Sequence, residues 1–252
     1  MLSSRNQMFD TRSDKVAILA HAGLWSWNSD LRSGNFVPPG KKAPEGLPDS
    51  RMQTELSYKC EVTYTIETSV DESIYVLFKA LESHVCSRQN FNRSKRERRK
   101  WQDGTERQRF AMSSKIVVKK SPFNTTQGTP LSTPYETHPW VLDALNDQAE
   151  QVYIANPESP RYLERQGEVL VDLFDTEDSN FRRGDIIWFS FKLGFYVNRD
   201  HWAPEIIPIA FIRVAVSPDP PVSNPDYSSY TTTEDDYDEL KAGTIAIPIP
   251  SA

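Results

Sequence analysis

The chain has 252 residues, 38% of them hydrophobic and 25% charged, with net charge −6. That is enough for a core, but diluted below the usual globular share of about 45–50%. Two cysteines are too few for a disulfide scaffold, and the longest early apolar run, 16–20, is far short of the roughly 20 residues a bilayer span needs. No early stretch reads as a secretory leader, so the expected setting is nuclear or cytoplasmic, without a membrane partner. Ten glycines also argue against a phosphate-cradling loop. The charge is uneven: residues 88–120 hold twelve Lys/Arg against three Asp/Glu, a net of +9, while the remainder carries −15.

In chain order, residues 1–54 read as a largely irregular arm. Residues 15–20 offer a short strand, Leu24, Trp25 and Trp27 offer docking groups, and 38–44 form a proline-rich linker. Leu56, Tyr58, Cys60, Val62, Tyr64 and Ile66 alternate with polar residues, the period of a half-buried strand. Asp71 is placed to cap a helix whose apolar stripe is Ile74, Leu77, Phe78, Leu81 and Val85. The basic island follows, then a short strand over 115–119. Residues 121–138 form a Ser/Thr/Pro connector, suited to proline-directed phosphorylation. A second helix is expected over about 139–152, with proline in its first turn.

Val169, Val171 and Leu173 then alternate in a strand that ends in an acidic turn, 175–180. Two long arms, 185–197 and 206–216, predict an antiparallel hairpin, with Ile187, Phe189, Phe191, Leu193, Phe195 and Val197 on one face. Pro208 removes a ladder donor and favours an edge position for the second arm. Residues 217–252 carry seven acidic residues and only Lys241, and read as a disordered acidic tail. Its last apolar stretch, 245–250, is fit to pair with an edge strand or to stay loose. The expected fold is α+β over 55–216: an antiparallel sheet ending in the long hairpin, covered on one face by two helices.

Residues 181–214 (Phe181-Arg182-Arg183-Gly184-Asp185-Ile186-Ile187-Trp188-Phe189-Ser190-Phe191, then Trp202, then Ile209-Ala210-Phe211-Ile212-Arg213-Val214) resemble a segment of uncharacterised proteins from basidiomycete fungi. The resemblance covers about a seventh of the chain and implies a fungal origin. It transfers no functional residue.

Two surfaces are candidates for binding. Arg93, Lys95, Arg96, Arg98, Arg99 and Lys100, with Trp101 beside them, suit a nuclear-import signal or a nucleic-acid contact. Clustered cations release counterions from phosphates, and a neighbouring indole can stack on a base. The bland alternative is a solvated loop, or one that binds the acidic tail. Trp188, Tyr196 and Trp202 would form a partner-binding platform if exposed, and are core if a helix covers them.

Other clusters fall short of a site. Cys60, His84 and Cys86 lack the C-x-x-C spacing of a zinc centre. Asp175, Glu177 and Asp178 lack the glycine and glutamate of a calcium loop. His201 has no placed nucleophile, and His21 and His138 stand alone. No catalytic residue, metal or cofactor is expected. The leading expectation is a non-enzymatic binding protein that contacts nucleic acid through the basic island 88–120. The alternative is a protein-interaction module that uses the aromatic hairpin 185–216, with no nucleic-acid role.

Overall fold

The computed structural model describes residues 4–10, 12–57, 59–99, 108–121 and 133–216. Its elements are β1 (Ser4–Gln7), β2 (Phe9–Asp10), β3 (Lys15–Val16), β4 (Leu19–Asn28), β5 (Glu61–Glu67), α1 (Ser73–Cys86), β6 (Glu97–Arg98), β7 (Arg109–Lys115), β8 (Val117–Lys119), α2 (Pro139–Asn146), β9 (Tyr153–Ala155), β10 (Arg161–Gln166), β11 (Val169–Asp172), β12 (Ile186–Val197) and β13 (His201–Ala215).

The hairpin β12–β13 is the spine. Its period-two apolar pattern buries Ile187, Phe189, Phe191, Leu193 and Phe195 on one face. Each arm is flanked by two strands placed end to end. On β12, β4 pairs along 186–191 and β1 along 194–197. On β13, β10 pairs along 210–213 and β6 along 201–202. The main order is β11-β10-β13-β12-β4-β5-β7.

The pairings of β10 and β6 with β13 are parallel, so the sheet is mixed where the sequence suggested an antiparallel one. The expectation of an edge position for β13 is also corrected, because strands pair on both its sides. Pro204 and Pro208 are tolerated because both lie between positions 202 and 210, where neither β6 nor β10 pairs with β13.

The arm expected to be largely irregular instead supplies β1 to β4, and β4 lies inside the sheet between β12 and β5. The loop after β4 then folds tightly onto β5. There Gly34 has φ +61 and a Cβ would collide with the Glu61 carbonyl, so only glycine fits.

The sheet curls strongly. Tyr64 on β5 and Phe211 on β13 are three strands apart in the order, about 14 Å in a flat sheet. Their ring centroids are nevertheless 4.5 Å apart. Trp25 on β4 also meets Phe211, at 5.4 Å, and Phe181, at 4.7 Å. Inside the curl the Tyr64 and Tyr162 hydroxyls satisfy each other at 2.6 Å, as a buried polar pair must.

Helix α1 closes one part of the curl. Asp71 Oδ1 accepts the Ser73 amide at its start (2.8 Å), and Ile74, Phe78 and Val85 are buried. Phe78 stacks on Phe191 with centroids 5.7 Å apart and lies 5.2 Å from Phe110. Helix α2 contributes Val141 to the core and stops at Asn146, short of the expected 152. Gln148 ends it by donating to the Leu145 and Tyr153 carbonyls while accepting the Tyr153 amide. The result is an α+β architecture dominated by sheet. No described helix is long and apolar enough to cross a membrane.

Candidate binding surfaces

The first half of the basic island is folded against the hairpin tip. After α1 the chain turns through Asn92 and Lys95, both with positive φ. The Asn92 side chain fastens this turn, donating to the Arg96 carbonyl and accepting the Arg96 amide. Asparagine suits that position because it tolerates the left-handed region and bonds its own backbone. Strand β6 then runs beside the start of β13, and the Arg99 amide donates to the Trp202 carbonyl (2.8 Å).

The expected basic residues divide by role. Arg98 donates through Nε and Nη2 to both carboxylate oxygens of Glu82 on α1, each at 2.9 Å. Such a two-bond fork is geometrically specific and occupies Arg98 internally. Arg93 and Lys95 are exposed, with Arg93 bonding Asn90. Arg96 and Arg88 are half-buried, and the Nε of each has no hydrogen-bond partner. Arg88 also reaches His84 Nε2 at 2.8 Å. Lys100 and Trp101 lie outside the described residues.

The three expected partner-binding aromatics are separated. Tyr196 and Trp202 are only 3% and 6% exposed. Trp202 packs edge-on against Phe91 at 5.2 Å, and Tyr196 against His201 at 5.8 Å. Trp202 shares the face of Val197, which it pairs with, and Tyr196 points to the other face, so a three-ring platform is corrected to one exposed ring. Trp188 is that ring, 38% exposed.

Register places Trp188 on the convex, outer side of the sheet. It lies opposite Ala22 and Ile212, and Ile212 lies opposite Leu163 on β10. Ile186 and Val214 are exposed nearby, as are Ala20 and Ala22. Leu170 on β11 is 49% exposed and opposite Arg165 at the far end of the same side. Both helices deliver their buried side chains to the core, and Ile186, Trp188 and Val214 stay exposed on the outer side, while Leu163 in the same row is buried. At its β4 end a shallow groove of about 240 Å3 opens between His21, Leu24, Ile66, Thr68, Val70 and Ile186. Burial lowers the His21 pKa against the opposing pull of Asp71, which favours a neutral imidazole in the groove.

Sequence reasoning missed this face apart from Trp188. The signal was present in β12, where Ile186 and Trp188 are apolar on the parity opposite to Ile187 and Phe189. A strand apolar on both parities is covered on both sides or has one apolar side bare.

The acidic turn holds a cation that belongs to the chain itself. Arg213 is 1% exposed and donates to Glu164, to the Asn180 and Asp178 carbonyls, and to Thr176. The Asp178 and Asp185 carboxylates lie 3.3 and 3.8 Å from its Nη1. The turn is therefore a socket for Arg213. Cys60 is buried and Cys86 exposed. Among the described residues no group of three His, Cys, Asp or Glu is arranged to hold a metal ion. His201 is fixed in the hairpin turn, its amide donating to Asn198 Oδ1 at 2.7 Å. No family model matches the chain, and no curated protein matches it either.

Proposed function

We propose that this protein is a non-enzymatic binding module that docks a protein partner on its outer sheet face, centred on Trp188. The observation that carries this reading is the exposed apolar cluster of Ile186, Trp188 and Val214 on an otherwise well-buried sheet. A large ring amid smaller apolar groups, with the exposed Arg161 and Arg165 beside it on β10, is the composition of a recognition hot spot. The test replaces Trp188 with a photo-crosslinking residue, identifies the captured protein, and measures its affinity for purified wild-type and Trp188→Asp chains. The expected loss is about thirtyfold or more, equal to about 2 kcal/mol, with an unchanged unfolding midpoint. Equal affinity for both chains would sink this reading.

A second reading rests on a different observation: the exposed Arg93 and Lys95, with the incompletely bonded Arg88 and Arg96 beside them. This turn suits a polyanion, and nucleic acid is the obvious one. Binding to labelled single- and double-stranded DNA and RNA across a salt series tests it, with Arg93, Lys95 and Arg96 changed to Ser in the control. Arg98 is left intact because Glu82 employs it within the fold. Binding that is insensitive to salt or to these changes would exclude the turn as the contact.

A further inference from the structure

We infer that the partner presents an extended segment, an apolar–basic–apolar run, which adds antiparallel to the first half of β4 as a short strand. This rests on the reading above that the outer face docks a protein, and it names the form and charge of what docks. Strand β5 pairs with β4 from Leu24 onward, opposite Glu67, whereas β12 pairs with β4 along 19–24. Among the described residues, 19–23 therefore have a neighbouring strand on one edge only. The cause is a split in the sheet: the Thr68 amide turns to the Gln108 carbonyl, and the chain keeps to that side before it enters α1. The groove beside His21 is the track that β5 vacates, with residues 21–24 on one wall and 66–71 on the other.

Backbone alternation shows which groups face this track. The Trp25 amide donates to the Asp185 carbonyl, and the Trp25 carbonyl accepts the Gly184 amide, so Trp25 faces the β12 side. Gly23 and His21 face that side too, and Ala22 and Ala20 turn their N–H and C=O to the open edge. Both alanines are exposed. Such an edge is a template for strand addition. In antiparallel pairing three residues satisfy all four groups, because the first and third each exchange two bonds with an alanine. A parallel strand needs five residues for the same bonds, so a short track favours the antiparallel one.

Side-chain facing then fixes the chemistry. Residues opposite Ala22 and Ala20 share their outer side, and the first of them extends the row formed by Trp188 and Ala22. Ala22 is small, so an apolar side chain beside it reaches across to the indole. The middle residue falls opposite His21, on the side where His21 meets Phe189. The groove wall carries Asp71 and Glu67 but no Lys or Arg. Glu67 has Arg109 opposite it on β7, which leaves Asp71 as the stronger attraction for an incoming cation. Hydrogen bonds from the Ser73 hydroxyl and amide lower the Asp71 pKa and keep it charged. A Lys or Arg in the middle position lays its methylenes along the groove and brings its head to this carboxylate.

The test is an NMR titration of the full chain with acetyl-Thr-Leu-Arg-Leu-Thr-amide and with its central Gln and Glu analogues. The Ala20 and Ala22 amides are expected to shift most. Affinity for the Arg peptide should exceed that for the Gln peptide about tenfold, with the Glu peptide weakest. Asp71→Asn keeps a cap for the Ser73 amide, since Asn caps as well as Asp, and should bring the Arg peptide down to the Gln peptide's affinity. Ala22→Pro removes an outward N–H without breaking a ladder bond, and should abolish binding with an unchanged unfolding midpoint. Shifts confined to other residues, or equal affinity for the three peptides, overturn the proposal. So does arginine amide binding as tightly as the Arg peptide, which would make the groove a small-cation site. Shifts that follow dilution without peptide overturn it by giving the edge to a second copy. A partner that needs Trp188 but binds Ala22→Pro unchanged overturns it too, while docking on the outer face stands.

Discussion

Arg213 gathers more of the chain than any neighbour on its strand: β10 through Glu164, the 175–180 turn through its carbonyls, and Asp185 at the foot of the hairpin. Asp185 is fully buried and accepts the Arg182 amide at 2.8 Å. Arg213→Met would leave that carboxylate buried beside Asp178 without its cation. A loss of about 3–5 kcal/mol is expected, measured by urea unfolding. The acid limb of stability should change with it. Burial alone would raise the Glu164 pKa, but hydrogen bonds from Gln166 and Arg213 and the Arg213 charge outweigh it and lower the value below 4.5. A lowered carboxylate stabilises the fold fully above pH 4.5, and the contribution is lost as pH falls through the folded value. In Arg213→Met that part of the acid dependence should flatten.

At the scale of elements, the sequence was most legible where one period ran unbroken. The α1 stripe and the β12 alternation appear in the structure nearly as read, because each buries one clean face. Strand β4 was not legible as a unit. Its first half, Leu19-Ala20-His21-Ala22-Gly23, carries small side chains, and two of them lie on the uncovered outer side. Nothing in its own period announces a strand bonded on both edges. The parallel pairings were hidden for another reason, since β10 meets β13 some fifty residues away. The basic island was plain from composition, whereas the partner that removes Arg98 from the surface is sixteen residues earlier, on α1. Glu82→Ala should release Arg98 and loosen β6. The expected signs are faster exchange of the Arg99 amide and a stability loss of about 1 kcal/mol, modest because the pair is partly solvated. An unchanged Arg99 rate would mean that backbone pairing alone holds the strand.

At the scale of the molecule, the curl makes one aromatic interior out of strands that are not neighbours, and the hairpin runs through all of it. The hairpin's flanks are interrupted at one level, however. On β12, between β4 and β1, among the described residues the Met8 amide reaches across, to the Leu193 carbonyl at 3.4 Å. Opposite it, Ile206 and Ile207 fall in the stretch of β13 that neither β6 nor β10 pairs. At this level the hydrogen-bonded ladder holds only the two hairpin strands among those described, with β7 approaching β13 from across the curl, and cooperativity is expected to divide where pairing is thinnest. The distal unit (β1, β6 and the hairpin tip) is expected to open by itself, at lower free energy than global unfolding. Amides of Tyr196 and Ala203 should therefore exchange together and faster than that of Phe189, with a smaller denaturant dependence; a common rate and slope would mean a single cooperative block. Arg93, Lys95 and Arg96 precede β6 on that distal unit, while Trp188 belongs to the proximal one. A ligand at the basic turn can thus be gained or lost by fraying of the tip, while the outer face keeps its shape.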